Sequence, residues 1–260
     1  MSDLMAVTSL LGRVTHWMLI VLALLLAGPV FTLAFGRVSV GGDWRAASHR
    51  SAGLAPDPAA THEAVVQVYA ARAFGWRGAF AEHTWLVAKG QGDQRYTRYD
   101  VIGWYAGGGR SVVSISQQRA PDGEWYGASP RVIADLRGAE AQAVIDKLPQ
   151  AVASYPYPSS YTVWPGPNSN TFVAYLGRSI PQLHLAMPST AIGKDFVPLS
   201  NALTRTASGS GYQMSLLGLL SVSVGRYEGF ELNVLGLVVG IDVLRPALKL
   251  PGIGRVPGDT

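Results

Sequence analysis

Between Trp17 and Phe35 the chain runs for 19 residues, WMLIVLALLLAGPVFTLAF, without one charged side chain. At about 1.5 Å of rise per residue, a helix of this length matches the ~30 Å hydrocarbon core of a bilayer. The stretch therefore predicts an N-terminal membrane anchor over residues 1–36, in contact with lipid through residues 17–35. A cleaved signal peptide is the rival reading. Against it stand the long segment before the apolar run, the length of the run itself, and the lack of a clean small-x-small cleavage site. Orientation is open. Arg13 precedes the run, whereas Arg37, Arg45 and Arg50 come after it, which by charge alone would keep that later side cytoplasmic. A single N-terminal anchor commonly exports the domain attached behind it.

Residues 37–62 are rich in Ala, Gly, Ser and Pro and are expected to form a linker. From there the pattern turns strand-like. Residues 64–73 alternate and carry β-branched side chains. Residues 83–90 and 95–105 flank a Gln-Gly-Asp turn and predict a hairpin, and residues 107–118 add a further strand. Pro130–Tyr155 is expected to be helical from the spacing of Val132, Ile133, Leu136, Val144, Ile145 and Leu148, with a break at Pro149. A helix then opens near Ser169. The fold class is α+β, with residues 63–200 as the main domain. Residues 201–260 form a Gly-rich apolar tail, whose two runs around Arg226-Tyr227-Glu228-Gly229 predict one long C-terminal β-hairpin. It either completes a core sheet or meets lipid or a partner. No internal repeat is evident.

Composition narrows the chemistry. With no cysteine there is no disulfide, thiolate metal site or Cys nucleophile. The net charge of +4 comes from dispersed Lys and Arg, so no nucleic-acid footprint is expected. No spacing of His and carboxylates suggests a metal, and no cofactor is implied. The glycines of Tyr105–Ser111 lack the remainder of a phosphate-binding motif and read as a turn.

The candidate site comes from two places. If Gly90 pairs with Asp93, His83 falls directly opposite Asp100, and a carboxylate beside an imidazole fixes its tautomer. Tyr96 and Arg98 share a face with Asp100 and are the alternative partners. In "WPGPNSNTFVAYL", Ser169 falls at or near the start of a helix, flanked by Asn168 and Asn170. Unpaired amides at a helix start suit either a plain cap or a stabilised nucleophile, and both readings stand. Trp76, Arg77, Trp85 and Trp164 are candidates to line a cleft or to fill the core. Lys194 and Asp195 in "TAIGKDF" form either a loop near the site or a solvated surface pair.

"EHTW" on one strand, an acidic residue on the next, then "NSNTFV" opening a helix resembles the circularly permuted papain-like enzymes, the NlpC-type and lecithin retinol acyltransferase-like groups, over Val65 to Ile180. That resemblance implies a permuted papain-like antiparallel sheet with packed helices. It implies His83 as base, Asp100 as its orienter and the residue at 169 as nucleophile, with Asn168, Asn170, Trp85 and Trp164 near the substrate. The family's Cys is Ser169 here, a far weaker nucleophile without an activating base. "HRSAGLAPDP", "WRGAFAEHTW", "YTRYDVIGWY", "WPGPNSNTF" and "TAIGKDF" also resemble a bacterial membrane-associated family of unknown function, DUF family 3750, across nearly the whole chain. It implies no activity. Together these lead to the expectation of a single-pass protein of a bacterial inner membrane with a periplasmic main domain. Its function is either non-catalytic binding of an envelope ligand, peptidoglycan or lipid, or Ser-dependent hydrolysis or acyl transfer on an envelope amide or ester. Oligomeric state is not legible.

Overall fold

The computed structural model describes residues 2–35, 38 and 41–258. Helix α1, Ser2–Ala34, contains a 25-residue stretch, Leu10–Ala34, long and apolar enough to cross a membrane. Among the described side chains of this helix, those of its C-terminal part pack on the rest of the chain. Thr32 donates to the Gly252 carbonyl at 3.3 Å, and Leu25 is buried. At Gly28 the backbones come so close that a Cβ would stand 2.0 Å from the Pro251 carbonyl oxygen. Arg37, one of the residues weighed for orientation, lies outside the described residues.

The first sheet holds five antiparallel strands in the order β4-β3-β2-β1-β5. They are β1 Val65–Arg72, β2 Glu82–Lys89, β3 Thr97–Val101, β4 Val113–Ser116 and β5 Arg131–Arg137. The two central strands are buried on both faces, which explains their run of β-branched and aromatic residues. Side chains alternate across a strand, so the sheet has two separate cores. Val66, Val68, Leu86 and Ala88 meet helices α2 Gly138–Ile145, α3 Leu148–Ala153 and α4 Ser169–Ser179 on one face. Tyr69, Trp85 and Val87 meet Ile102 and Trp125 on the other.

That second face is covered by chain expected to be linker. Asp122 is fully buried and accepts from the Ser51 hydroxyl at 2.7 Å and from the Leu54 and Ala55 amides at 2.5 and 3.1 Å. Residues 48–55 thus form part of the fold. The expected helix over Pro130–Tyr155 is also corrected. Its first third is the edge strand β5, paired with β1, because the alternation of Val132, Ala134 and Leu136 serves a ladder as well as a helix. Gly138, at φ +56°, turns the chain into α2.

The second sheet is a seven-stranded antiparallel meander rather than one hairpin. Its strands are β6 Leu203–Arg205, β7 Gly211–Leu216, β8 Leu220–Gly225, β9 Gly229–Val234, β10 Leu237–Asp242, β11 Ala247–Leu250 and β12 Gly254–Val256. Each long run folds back on itself at a Leu-Gly pair. Leu217 and Gly218 have φ of 53° and 73°, and Leu235 and Gly236 have 55° and 89°. Positive φ at both central residues matches the twist of flanking strands. Leu is a rare first residue for such a turn, so the fold-back was hidden inside an apolar run. The recurring Leu-Gly-Leu word marks two similar hairpins where no repeat had been evident.

Candidate functional site

His83 sits on β2 with its ring on the aromatic face. Its Nε2 lies 2.9 Å from Asp100 Oδ1 on β3. The register is not the expected one. Leu86 pairs with Tyr99 and Val87 with Arg98, so Asp100 falls in line with Trp85 and two positions from direct opposition to His83. A two-residue offset preserves the face, and the pair meets diagonally.

Asp100 is a hub. Its Oδ1 accepts the Val101 amide at 2.8 Å, and its Oδ2 accepts Arg98 Nη2 at 2.9 Å and Arg119 Nη1 at 3.1 Å. Burial would raise its pKa, but His83, Arg98 and Arg119 overcome that and hold the carboxyl well below the usual range. The His83 ring stacks on Trp125, with centroids 3.4 Å apart and 6° between planes. Burial lowers the His83 pKa, more than Asp100 raises it. Asp100 is ionised and can only accept, so the bond between them runs from the ring's Nε2–H to the carboxylate. Arg98 lies 4.1 Å over Trp85, closing a stack of rings and guanidinium. Arg98 was legible because it stands two residues before Asp100 on one strand. Arg119 and Trp125 come from the loop after β4, and no local pattern pointed to either.

Ser169 belongs to the other face. It is the first residue of α4, and the cap is its neighbour Asn168. Asn168 Oδ1 accepts the Asn170 and Thr171 amides at 3.0 and 3.2 Å, and Thr171 Oγ1 accepts the Asn168 amide at 3.1 Å, completing a reciprocal capping box. Asn170 ties the helix start to β2. It donates to the Glu82 and Ile192 carbonyls, both at 2.8 Å, and accepts from Thr84 Oγ1 at 2.9 Å. Thr84 and Glu82 flank His83, so their side chains point away from its ring. The structure therefore joins His83 to Asp100. Among the described residues Ser169 makes no hydrogen bond to either, and α4, which it opens, packs in the core on the face opposite the His83 ring. Asn168 and Asn170 spend their amides on the fold. Trp85 is fully buried, and Trp164, about half exposed, donates to the Leu235 carbonyl at 2.8 Å.

Lys194 and Asp195 are not solvated. Both are buried; Lys194 Nζ reaches Asp195 at 2.8 Å and Glu231 at 2.6 Å, and Lys249 reaches Glu231 at 2.5 Å. Burial would lower the Lys194 pKa, yet Asp195 and Glu231 hold it above its ordinary value. Glu231 is held low, because its two lysines outweigh the burial that would raise it. This network joins the main domain to the second sheet. At the end of the first sheet where β1 begins and β2 finishes, His62, Glu63, Gln91, Gln142 and Asp146 line an open groove of about 560 Å³. Among the described residues no cluster of His, Asp and Glu is placed to hold a metal ion.

The fold and the site define an α+β protein built on a central antiparallel sheet and carrying one apolar N-terminal helix. Residues 63–196, just over half of the chain, match the model of the family described as "Protein of unknown function (DUF3750)". The chain belongs to that family. No curated protein and no solved structure matches it.

Proposed function

We propose that the chain is a membrane-anchored module of a bacterial envelope that binds a ligand without converting it, with its main domain on the periplasmic side. One observation supports this reading: the His83 ring stacks on Trp125 in one core of the sheet, whereas α4, the helix that Ser169 opens, packs into the other. A hydroxyl with no base beside it is a poor nucleophile. The order of a His strand, an acidic neighbour and a later helix supports descent from a papain-like arrangement whose parts now serve the fold. Packing of Leu25, Gly28 and Thr32 on the chain supports retention of α1 as an anchor rather than its removal as a signal peptide. The open groove beside Glu63 and Asp146 has room for a polar segment such as a peptidoglycan stem peptide.

A fluorophosphonate probe tests the reading. The account predicts no labelling of the folded full chain, and cosedimentation with insoluble peptidoglycan that weakens in Asp146→Lys. Labelling that disappears in both Ser169→Ala and His83→Ala would establish the rival, a Ser-dependent hydrolase or acyltransferase.

A further inference from the structure

Antiparallel sheets with one solvated face normally turn apolar residues inward and polar ones outward. The second sheet does the reverse. Tyr212, Val224, Phe230, Ile241, Leu248 and Val256 are direct cross-strand partners in one unbroken row from β7 to β12. Each is at least 44% exposed. The neighbouring row on the inner face, Gln213, Ser223, Glu231 and Lys249, is buried and polar. A continuous apolar face of this extent marks a contact surface, and among the described residues nothing covers it.

Two observations identify the cover. First, α1 docks on this sheet's own β11–β12 turn, through Gly28 against Pro251 and Thr32 against Gly252. Arg72 ties the same turn to β1 by donating to the Gly252 and Ile253 carbonyls at 2.6 and 3.2 Å. A bilayer holding α1 therefore begins beside this sheet. Second, the exposed charge of the sheet has one sign. Glu228, Glu231 and Asp242, the described acidic residues beyond Asp195, are all buried. Arg226 and Arg245 stand exposed in the β8–β9 and β10–β11 turns, and exposed Arg205 stacks on Tyr212 at 4.3 Å. Basic side chains rimming an apolar face suit anionic headgroups around acyl chains.

We infer that the outward face of the β6–β12 sheet lies in the headgroup and acyl boundary of the membrane that α1 crosses, making the protein both anchored in the bilayer and seated on it. This rests on the anchor reading above. Lying face-down also keeps the strand ladder hydrogen-bonded within the sheet, which lipid requires.

The absence of cysteine allows a direct test. The full chain carrying a single Leu22→Cys, Ile241→Cys or Glu140→Cys substitution is labelled with an environment-sensitive fluorophore. It is then reconstituted into phosphatidylethanolamine–phosphatidylglycerol vesicles containing lipids with brominated acyl chains. Quenching severalfold stronger at positions 22 and 241 than at 140 is expected. Quenching at 22 with position 241 no different from 140 overturns the seating and leaves the anchor standing. Quenching at neither overturns both. A disulfide between two chains of the unlabelled Ile241→Cys variant, without quenching at 241, would show that a second copy covers the face instead.

Discussion

Glu231 is the sharpest place to perturb the structure. It is 2% exposed and is shared by Lys194 and Lys249 at 2.6 and 2.5 Å. In Glu231→Gln the shape survives, but two buried ammonium groups lose their common counter-charge; Lys194 keeps Asp195, and Lys249 keeps the Glu228 carbonyl. Removing one partner of a buried ion pair costs about 3–5 kcal/mol. At roughly 2–4 °C per kcal/mol for a chain of this size, the melting temperature should fall by roughly 6–20 °C. The assay is a circular dichroism melt of the full chain in detergent, with exposed Glu140→Gln as control, expected within about 0.5 kcal/mol of wild type. The pH dependence has a definite sign. The folded pKa of Glu231 is depressed, so its contribution is present above the unfolded value of about 4.3 and is lost as pH falls. The folded pKa of Lys194 is raised, so its contribution is present below about 10.4 and is lost as pH rises through the folded value. A Glu231→Gln melt indistinguishable from wild type at pH 7 would refute the reasoning.

Other outcomes rest on the same geometry. Asn168→Ala should destabilise the fold by about 1–2 kcal/mol through loss of its cap, whereas Ser169→Ala should cost less, and paired urea titrations would rank them. Asp100→Asn should cost about 3–5 kcal/mol, because Arg98 is left buried with its counter-charge gone, and should change the near-ultraviolet dichroism of Trp85 and Trp125. His83 has a depressed folded pKa, so below about pH 6.5 the unfolded chain takes up the proton first and stability declines. His83→Phe should remove that decline from a pH series of melts. Gly28→Leu places side-chain atoms on the Pro251 carbonyl and should undock α1, visible as faster hydrogen exchange around residues 251–253.

Legibility of this fold tracked the range of the interaction concerned. The apolar run of α1, the strands β1 and β2 and the start of α4 rest on local pattern, and the sequence displays each within a few residues. The parity of His83 and Asp100 was also legible, since any even offset keeps both on one face. Which face carries α4 was not. That depends on the β1–β2 ladder as a whole, and a motif read in one dimension does not say which core the helix that Ser169 opens will enter. Edge strand β5 was hidden because Ala134 and Leu136 alternate as a strand while Val132, Ile133 and Leu136 recur at helical spacing. The meander was hidden because Leu217 and Leu235 turn the chain where Asn or Asp would have advertised it. Arg119, Trp125 and the Lys194–Glu231–Lys249 network are long-range meetings between loops and strands, for which neighbouring residues carry no mark.

The separation of Ser169 from His83 is the centre of this account, and one measurement reaches it directly. Ser169→Cys restores the nucleophile that papain-like enzymes carry, in a chain with no other cysteine. Its alkylation rate is followed against pH, with His83 intact and in a His83→Phe background. The account predicts the same profile in both, because no imidazole reaches the thiol. A thiolate inflection well below the ordinary value of about 8.5 that disappears with His83 would contradict it, since only an adjacent imidazolium produces that dependence.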